Sequence, residues 1–288
     1  LRQFSLLANM LFFRPAGLRL PNGTLVEWGL EPEKLLPEPA LAEALAQVGV
    51  PTHLVLAHAF KGTGLSRIMH RGVEHHHSHL GTADMWLRLR DVLRQTAGQR
   101  CYVHAYWPVV DMLSHVYGAH AEYIHNEVII QLRALRDVLR SEDVRDGRTL
   151  VMVIADHGHA DVHHLIDMSM QQNGRVAPLL ETLRLTYGGD TRLAHLFLRD
   201  GCRQRAVEVL RADFAGSLAA MDPAQAVEAG LYGPGPVHPE LFARLGDLLV
   251  LARQSYRLVN DESKANIVSM HGGMSDREML VPLLWRRI

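Results

Sequence analysis

The sequence predicts an α/β fold, with a mostly parallel central sheet, helices on both faces, and a smaller α+β lobe inserted late in the chain. Three observations predict it. Short β-branched apolar runs alternate with longer segments of helical periodicity in the order βαβαβ. Residues with ligand chemistry sit just past the ends of those runs, where an open α/β sheet presents its functional groups. After about Thr186 the texture changes, yet a last ligand-type motif follows at His271 and must return to the first domain.

The elements follow in order. The segment Leu1 to Pro39 is loop-rich and carries no clear periodicity. A helix over "ALAEALAQVG" stops at Gly49, a suitable C-terminal residue, and a buried strand follows over Thr52 to Ala59. The glycine-rich Phe60 to Arg67 follows that strand and could cradle a phosphate on backbone amides. It lacks the Lys-Ser/Thr ending of a P-loop, so a plain loop is the simpler account. Leu87, Leu89 and Leu93 carry the apolar face of a helix ending near Gly98. "CYVHAYW" reads as a second strand, residues 120–140 as a long helix, and "TLVMVIAD" as a third strand. Further on, "RLAHLFLRD" is sheet-like with His195 as a sheet residue, "CRQRAVEVLRADF" helical, "LYGPGPVHPELFARLG" rich in Pro and Gly, and "DLLVLAR" a strand. This assigns residues 1–185 and 255–288 to the core domain and 186–254 to the inserted lobe.

Composition narrows the function classes. The chain has 288 residues, enough for a full core. Its 30 basic and 31 acidic residues give a formal charge of -1, so no global field favours nucleic acid or an anionic membrane. No clustered basic face with aromatics suggests a nucleic-acid surface. No apolar run approaches the roughly 18 residues that span a bilayer, and no signal-peptide pattern opens the chain. Cys101 and Cys202 are too few for a disulfide framework and read as buried free thiols, which fits a reducing, cytoplasmic compartment. The chain opens on Leu1 rather than methionine, so residues upstream are expected.

Five residues carry the chemistry. Asp156 and His157 end a buried β-branched run and are followed by Gly158, which places two ligands where the backbone turns sharply. Asp-His-Gly also occurs as a simple turn. Asp111 and His115 are four apart and share one face if their segment is helical, although a chance pair on a solvated helix has the same spacing. His271 precedes Gly272 and Gly273, which permit close backbone approach, and then an apolar strand. Together these two carboxylates and three imidazoles predict a metal site, most simply a double one, to which an anionic substrate would be drawn locally. Imidazole with carboxylate suits zinc and is compatible with manganese or iron. The histidines must be neutral to bind, so occupancy should fall with pH.

Other histidines compete for the same reading. His75, His76, His77 and His79 look like a metal tract but precede a helix and lack fixed ligand spacing, so a functional reading would be as a lining of the substrate cleft. His159, His163 and His164 could face a pocket or simply lie in a loop. Tyr106 and Trp107 could stack on a base or aryl group, or belong to the core.

In order, spacing and local sequence, three segments match one family. They are Tyr106, Asp111, His115 and Gly118 in a Y-x-x-x-x-D-x-x-x-H-x-x-G pattern, Ala155 to Gly158, and His271 to Leu283 in an H-G-G-x-x-x-x-E-x-x-V-P-L pattern. The chain resembles the alkaline phosphatase superfamily, within it the type I phosphodiesterase and nucleotide pyrophosphatase branch, from about Leu35 to the C-terminus. The resemblance implies that Asp111, His115 and His271 hold one divalent ion and that Asp156 and His157 help hold a second. It also implies a threonine or serine nucleophile and a further aspartate, both ahead of a segment like Leu6 to Pro15 and hence upstream of Leu1. Thr24 and Thr63 do not follow a strand as that nucleophile must, and are read as loop residues.

The implied activity is hydrolysis of a phosphodiester or nucleotide pyrophosphate through a covalent phosphoryl-enzyme, with two ions activating the hydroxyl and stabilising the leaving oxygen. The expected partner is a small-molecule phosphate ester. A phosphomonoesterase or mutase of the same superfamily, and a non-catalytic metal-binding fragment, share the ligand pattern and stay open at this point. The exact substrate is set by loops the sequence does not shape.

Overall fold

The computed structural model describes residues 8–9, 14–15, 25–27, 29–36, 38–169, 174–259 and 266–288. Thr24 and most of Leu6 to Pro15 lie outside the described residues. In chain order, β1 (Ala8–Asn9), β2 (Arg14–Pro15), α1 (Leu41–Gln47), β3 (Thr52–Ala57), α2 (Gly64–Met69), β4 (His75–His79), α3 (Thr82–Gln95), β5 (Tyr102–Ala105), α4 (Val109–Tyr117), α5 (Glu122–Arg140) and β6 (Leu150–Ile154) come first. Then follow β7 (Ala160–Asp161), β8 (His164–Asp167), α6 (Ala177–Leu180), β9 (Gly188–Gly189), β10 (Leu193–Leu196), α7 (Arg203–Asp213), β11 (Leu218–Met221), α8 (Pro223–Glu228), α9 (Leu241–Leu245), β12 (Leu248–Ala252), β13 (Tyr256–Val259), β14 (Ser269–Met270), α10 (Asp276–Met279) and β15 (Leu283–Arg287). Contacts divide the described residues into two compact units, one within 8–112, 122–154 and 282–288, the other within 113–121 and 155–281. The division falls inside the continuous helix α4.

The first unit carries the parallel sheet, in the order β4-β3-β5. The apolar run Leu54, Val55 and Leu56 is buried at its centre, as a strand flanked on both sides requires. Val55 packs with Met85 and Val92 of α3, and with Trp86, Leu89 and Val103 around them. Trp86 Nε1 donates to Gln131 Oε1 at 2.8 Å, which ties α3 to α5 while removing a buried indole donor from the apolar layer. Helix α5 starts at Glu122 rather than His120. Strand β6 pairs antiparallel with β15, so the expected apolar strand after His271 returns to this unit.

One expectation needs correction here. The histidine tract does precede a helix, α3, but it is not an irregular approach to it, because residues His75–His79 form β4, hydrogen-bonded in parallel to β3. Nothing in "HHHSH" alternates apolar with polar, so periodicity is blind to it; the strand is imposed by the edge of β3. Phe60 to Arg67 is also more than a loop, since Thr63 Oγ1 accepts from the Ser66 amide at 3.4 Å and caps α2.

The second unit holds a four-stranded antiparallel sheet in the order β11-β12-β10-β9, with His195 within β10 as expected. Leu179 of α6 and Leu183 just after it, Val209 and Leu210 of α7, Leu196 and Val250 of the sheet, and Leu258 of β13 close its core. At about 1.5–3 kcal/mol for each large side chain taken from water, this cluster is the unit's main source of stability. Two short ladders complete it: β8 with β13 in parallel, and β7 with β14 antiparallel. Cys101 and Cys202 are free, though only partly buried where full burial was expected.

Candidate metal centre

The ladder of β7 and β14 builds the site. Met270 pairs with Ala160 and Ser269 with Asp161, so His159, just before β7, and His271, just after β14, emerge from the same end. Their ring centroids are 5.3 Å apart. His157 leads into β7 from the other side of Gly158 and stacks on His271 at 3.7 Å. His115, near the end of α4, lies 5.2 Å from His271 and 4.9 Å from His159. The amide of Val268 donates to the His115 carbonyl at 2.9 Å and the Ala119 amide to Asp161 Oδ1 at 2.8 Å, which fasten this end of α4 to the ladder.

Hydrogen bonds select the tautomers. His115 Nδ1 lies 2.8 Å from the Ser269 carbonyl oxygen, and His157 Nδ1 lies 3.0 Å from that of Gly158. A carbonyl only accepts, so each Nδ1 carries the proton and each Nε2 the lone pair, the arrangement that orients an imidazole as a metal ligand. His159 Nδ1 lies 3.2 Å from Ser269 Oγ, a hydroxyl that itself donates to the Ala160 carbonyl.

One turn ahead of His115 on the same helix stands Asp111, as the four-residue spacing predicts. With it, among the described residues, two sets arise in which every ligand atom lies within 4.8 Å of the others: Asp111, His115 and His271, and Asp111, His157 and His159. Asp156 is in neither set. Its side chain is 67% exposed, with Oδ2 3.6 Å from His157 Nε2. His159, left between a pocket and a loop by sequence alone, is the residue that reasoning undervalued. The missed signal is the i, i+2 spacing to His157, which places both at the entry to β7.

The motif residues without ligand atoms shape the loops. Gly158 donates its amide to the Glu278 carbonyl at 2.8 Å, and a Cβ built there would run into the Arg277 carbonyl oxygen. Gly272 has a φ of +89°, the left-handed region. Glu278, 2% exposed, takes Arg192 in a bidentate pair with both N···O distances 2.9 Å and accepts from the Gly273 amide at 2.8 Å and Ser275 Oγ at 2.5 Å. Arg192, 1% exposed, also donates to the carbonyls of Gln254 and Tyr256. Burial pushes the Glu278 carboxyl up, but the hydrogen bonds and charge of Arg192, with Ser275 and the Gly273 amide, bring it down to about 2.

Other candidates are placed elsewhere. Trp107 is held by its Nε1 donating to Glu127 at 2.7 Å and by stacking on His79, so it is a packing residue. His164 stacks on Tyr256 within the β8–β13 ladder.

Among solved structures, murine ectonucleotide pyrophosphatase/phosphodiesterase 5 superposes with a TM-score of 0.61 at 11% identity, covering 90% of this chain and 67% of that one. An inactive variant of the murine protein in complex with AMP gives 0.60 at 11% identity, with the same coverage. The human protein gives 0.60 at 12%, covering 85% of this chain and 62% of that one. The chain therefore spans about two thirds of the length of these neighbours and shares the α/β fold of nucleotide pyrophosphatases. No curated protein matches it. The sequence profile of type I phosphodiesterase / nucleotide pyrophosphatase matches residues 30–274, and the chain belongs to that family of hydrolases. The family is metal-dependent, in keeping with the Asp/His sets gathered here.

Proposed function

We propose that the chain supplies the metal-binding half of a phosphodiesterase or nucleotide pyrophosphatase centre, with Asp111, His115 and His271 holding one divalent ion and His157 with Asp156 helping to hold a second. The convergence of Asp111, His115 and His271, from segments some 155 residues apart, carries this reading. The donors fit: one carboxylate with imidazoles suits zinc at both positions, with manganese or iron as chemically compatible alternatives. A bound cation there supplies Lewis-acid stabilisation of charge on a phosphoryl oxygen.

The chain's own residues prepare for that. The Ser269 and Gly158 carbonyls commit the Nδ1 protons of His115 and His157, and Glu278 grips the turn after His271, so the ligand geometry is set in advance of substrate. The covalent route also needs a threonine or serine hydroxyl. Thr63 Oγ1 is engaged as the cap of α2, and Ser269 is fully buried with its hydroxyl donating to Ala160, so neither suits that role. The nucleophile is assigned to a hydroxyl other than these two. The substrate class is a small nucleotide-like diester or pyrophosphate, in line with the AMP complex of the murine protein.

The test is hydrolysis of bis(p-nitrophenyl) phosphate by the full-length protein. Asp111→Ala and His271→Ala should each lower kcat/KM at least about a thousandfold; unchanged turnover overturns the assignment. A faster rate on p-nitrophenyl phosphate than on the diester would replace it with a phosphomonoesterase.

A further inference from the structure

We propose that β3 and β4 carry a separate transition-metal site, formed by His53, His75 and His77. In the parallel register His53 pairs with His75 and Val55 with His77, so all three imidazoles stand on one face of the sheet. His53 Nδ1 and His77 Nε2 are 3.2 Å apart. Two nitrogens bound at 2.0–2.1 Å to one tetrahedral zinc ion stand about 3.3 Å from each other, so this pair already has the separation of adjacent ligands. The His75 ring lies 4.4 Å from that of His53. It is the exposed member, and the proposed site requires its side chain to turn so that a third donor joins the pair. The Glu74 carboxylate, 3.4 Å from His75 Nε2, is at hand as a fourth.

Protonation favours binding. Burial, and then the neighbouring imidazoles, hold His53 and His77 below the usual histidine range, so both keep lone pairs at neutral pH. None of the three belongs to either Asp111 set, and an all-imidazole face suits Zn2+, Ni2+ or Cu2+ rather than Mg2+ or Ca2+. The competing account of the 3.2 Å contact is an N–H···N hydrogen bond that binds nothing.

The two accounts separate by metal content. The unaltered protein and the His53→Ala/His77→Ala variant are dialysed against zinc chloride, and bound zinc is measured by elemental analysis. The variant should hold one equivalent less, while His76→Ala, altered on the opposite face, should hold as much as the unaltered protein. Equal zinc in the double variant overturns the site, and the pair is then a hydrogen bond only. An equal loss in His76→Ala also overturns it, in favour of diffuse binding along the tract. If circular dichroism shows the alanine variant unfolded, His53→Gln/His77→Gln preserves side-chain volume and decides by the same readout.

Discussion

At the scale of single residues, Asp156 and His159 pose the sharpest question in the centre. The local sequence makes Asp156 a ligand, while the geometry gathers His159 and leaves the Asp156 carboxylate exposed, 3.6 Å from His157. An exposed carboxylate turns at little cost, whereas His159 is already engaged with the buried Ser269 hydroxyl, which suits a supporting role. Asp156→Ala should therefore weaken zinc binding at least tenfold, and His159→Ala by less than that, both read by competition with a chromophoric chelator. The reverse order would make His159 the ligand. Gly158 is decided by space rather than by ligation. Because any Cβ meets the Arg277 carbonyl, Gly158→Ala should cost about 3 kcal/mol in urea unfolding, the upper end of overpacking costs. A loss under about 0.5 kcal/mol would show that the turn opens freely.

At the scale of elements, the turn between β14 and β15 is held by one buried ion pair. Arg192 enters from the start of β10's strand run and Glu278 from α10, and each satisfies several backbone groups besides the other. Removing one partner strands the other charge, so Arg192→Met should destabilise by about 3–5 kcal/mol. The pH dependence has a definite sign. The folded Glu278 carboxyl titrates near 2, below an unfolded value of about 4.3, so its contribution is complete above that value and drains away as pH falls toward 2. Between pH 5 and 3 the unfolding free energy of the unaltered protein should fall more steeply than that of Glu278→Gln. Parallel slopes would refute the linkage. The sequence marks Glu278 only as a motif position; its partner Arg192, 86 residues away, is invisible to any local pattern.

For the whole molecule, what could be read in advance was what repeats at short range. The apolar run of β3, the helical periodicity of α3 and the Asp111–His115 spacing each announce themselves within a few residues, although α3 buries Met85 and Val92 and leaves Leu87 of its expected leucine face exposed. The strand His75–His79 and the ladder of β7 with β14 do not, because their partners lie far along the chain and two-residue strands have no period. That same long-range closure makes metal binding a folding event. Residues 111–115, 157–159 and 271 meet only in the native chain, so an ion held by them binds the folded state and has no comparable site in the unfolded one. At a hundredfold excess over Kd, zinc should add about 2.7 kcal/mol, and for a chain of this size each kcal/mol moves Tm by about 2–4 °C. Thermal scans should therefore show Tm raised by several degrees with zinc and lowered by EDTA, with most of the shift lost in Asp111→Ala/His271→Ala. A Tm indifferent to both additions would mean that these side chains gather for packing, and would remove the physical basis for hydrolysis at this site.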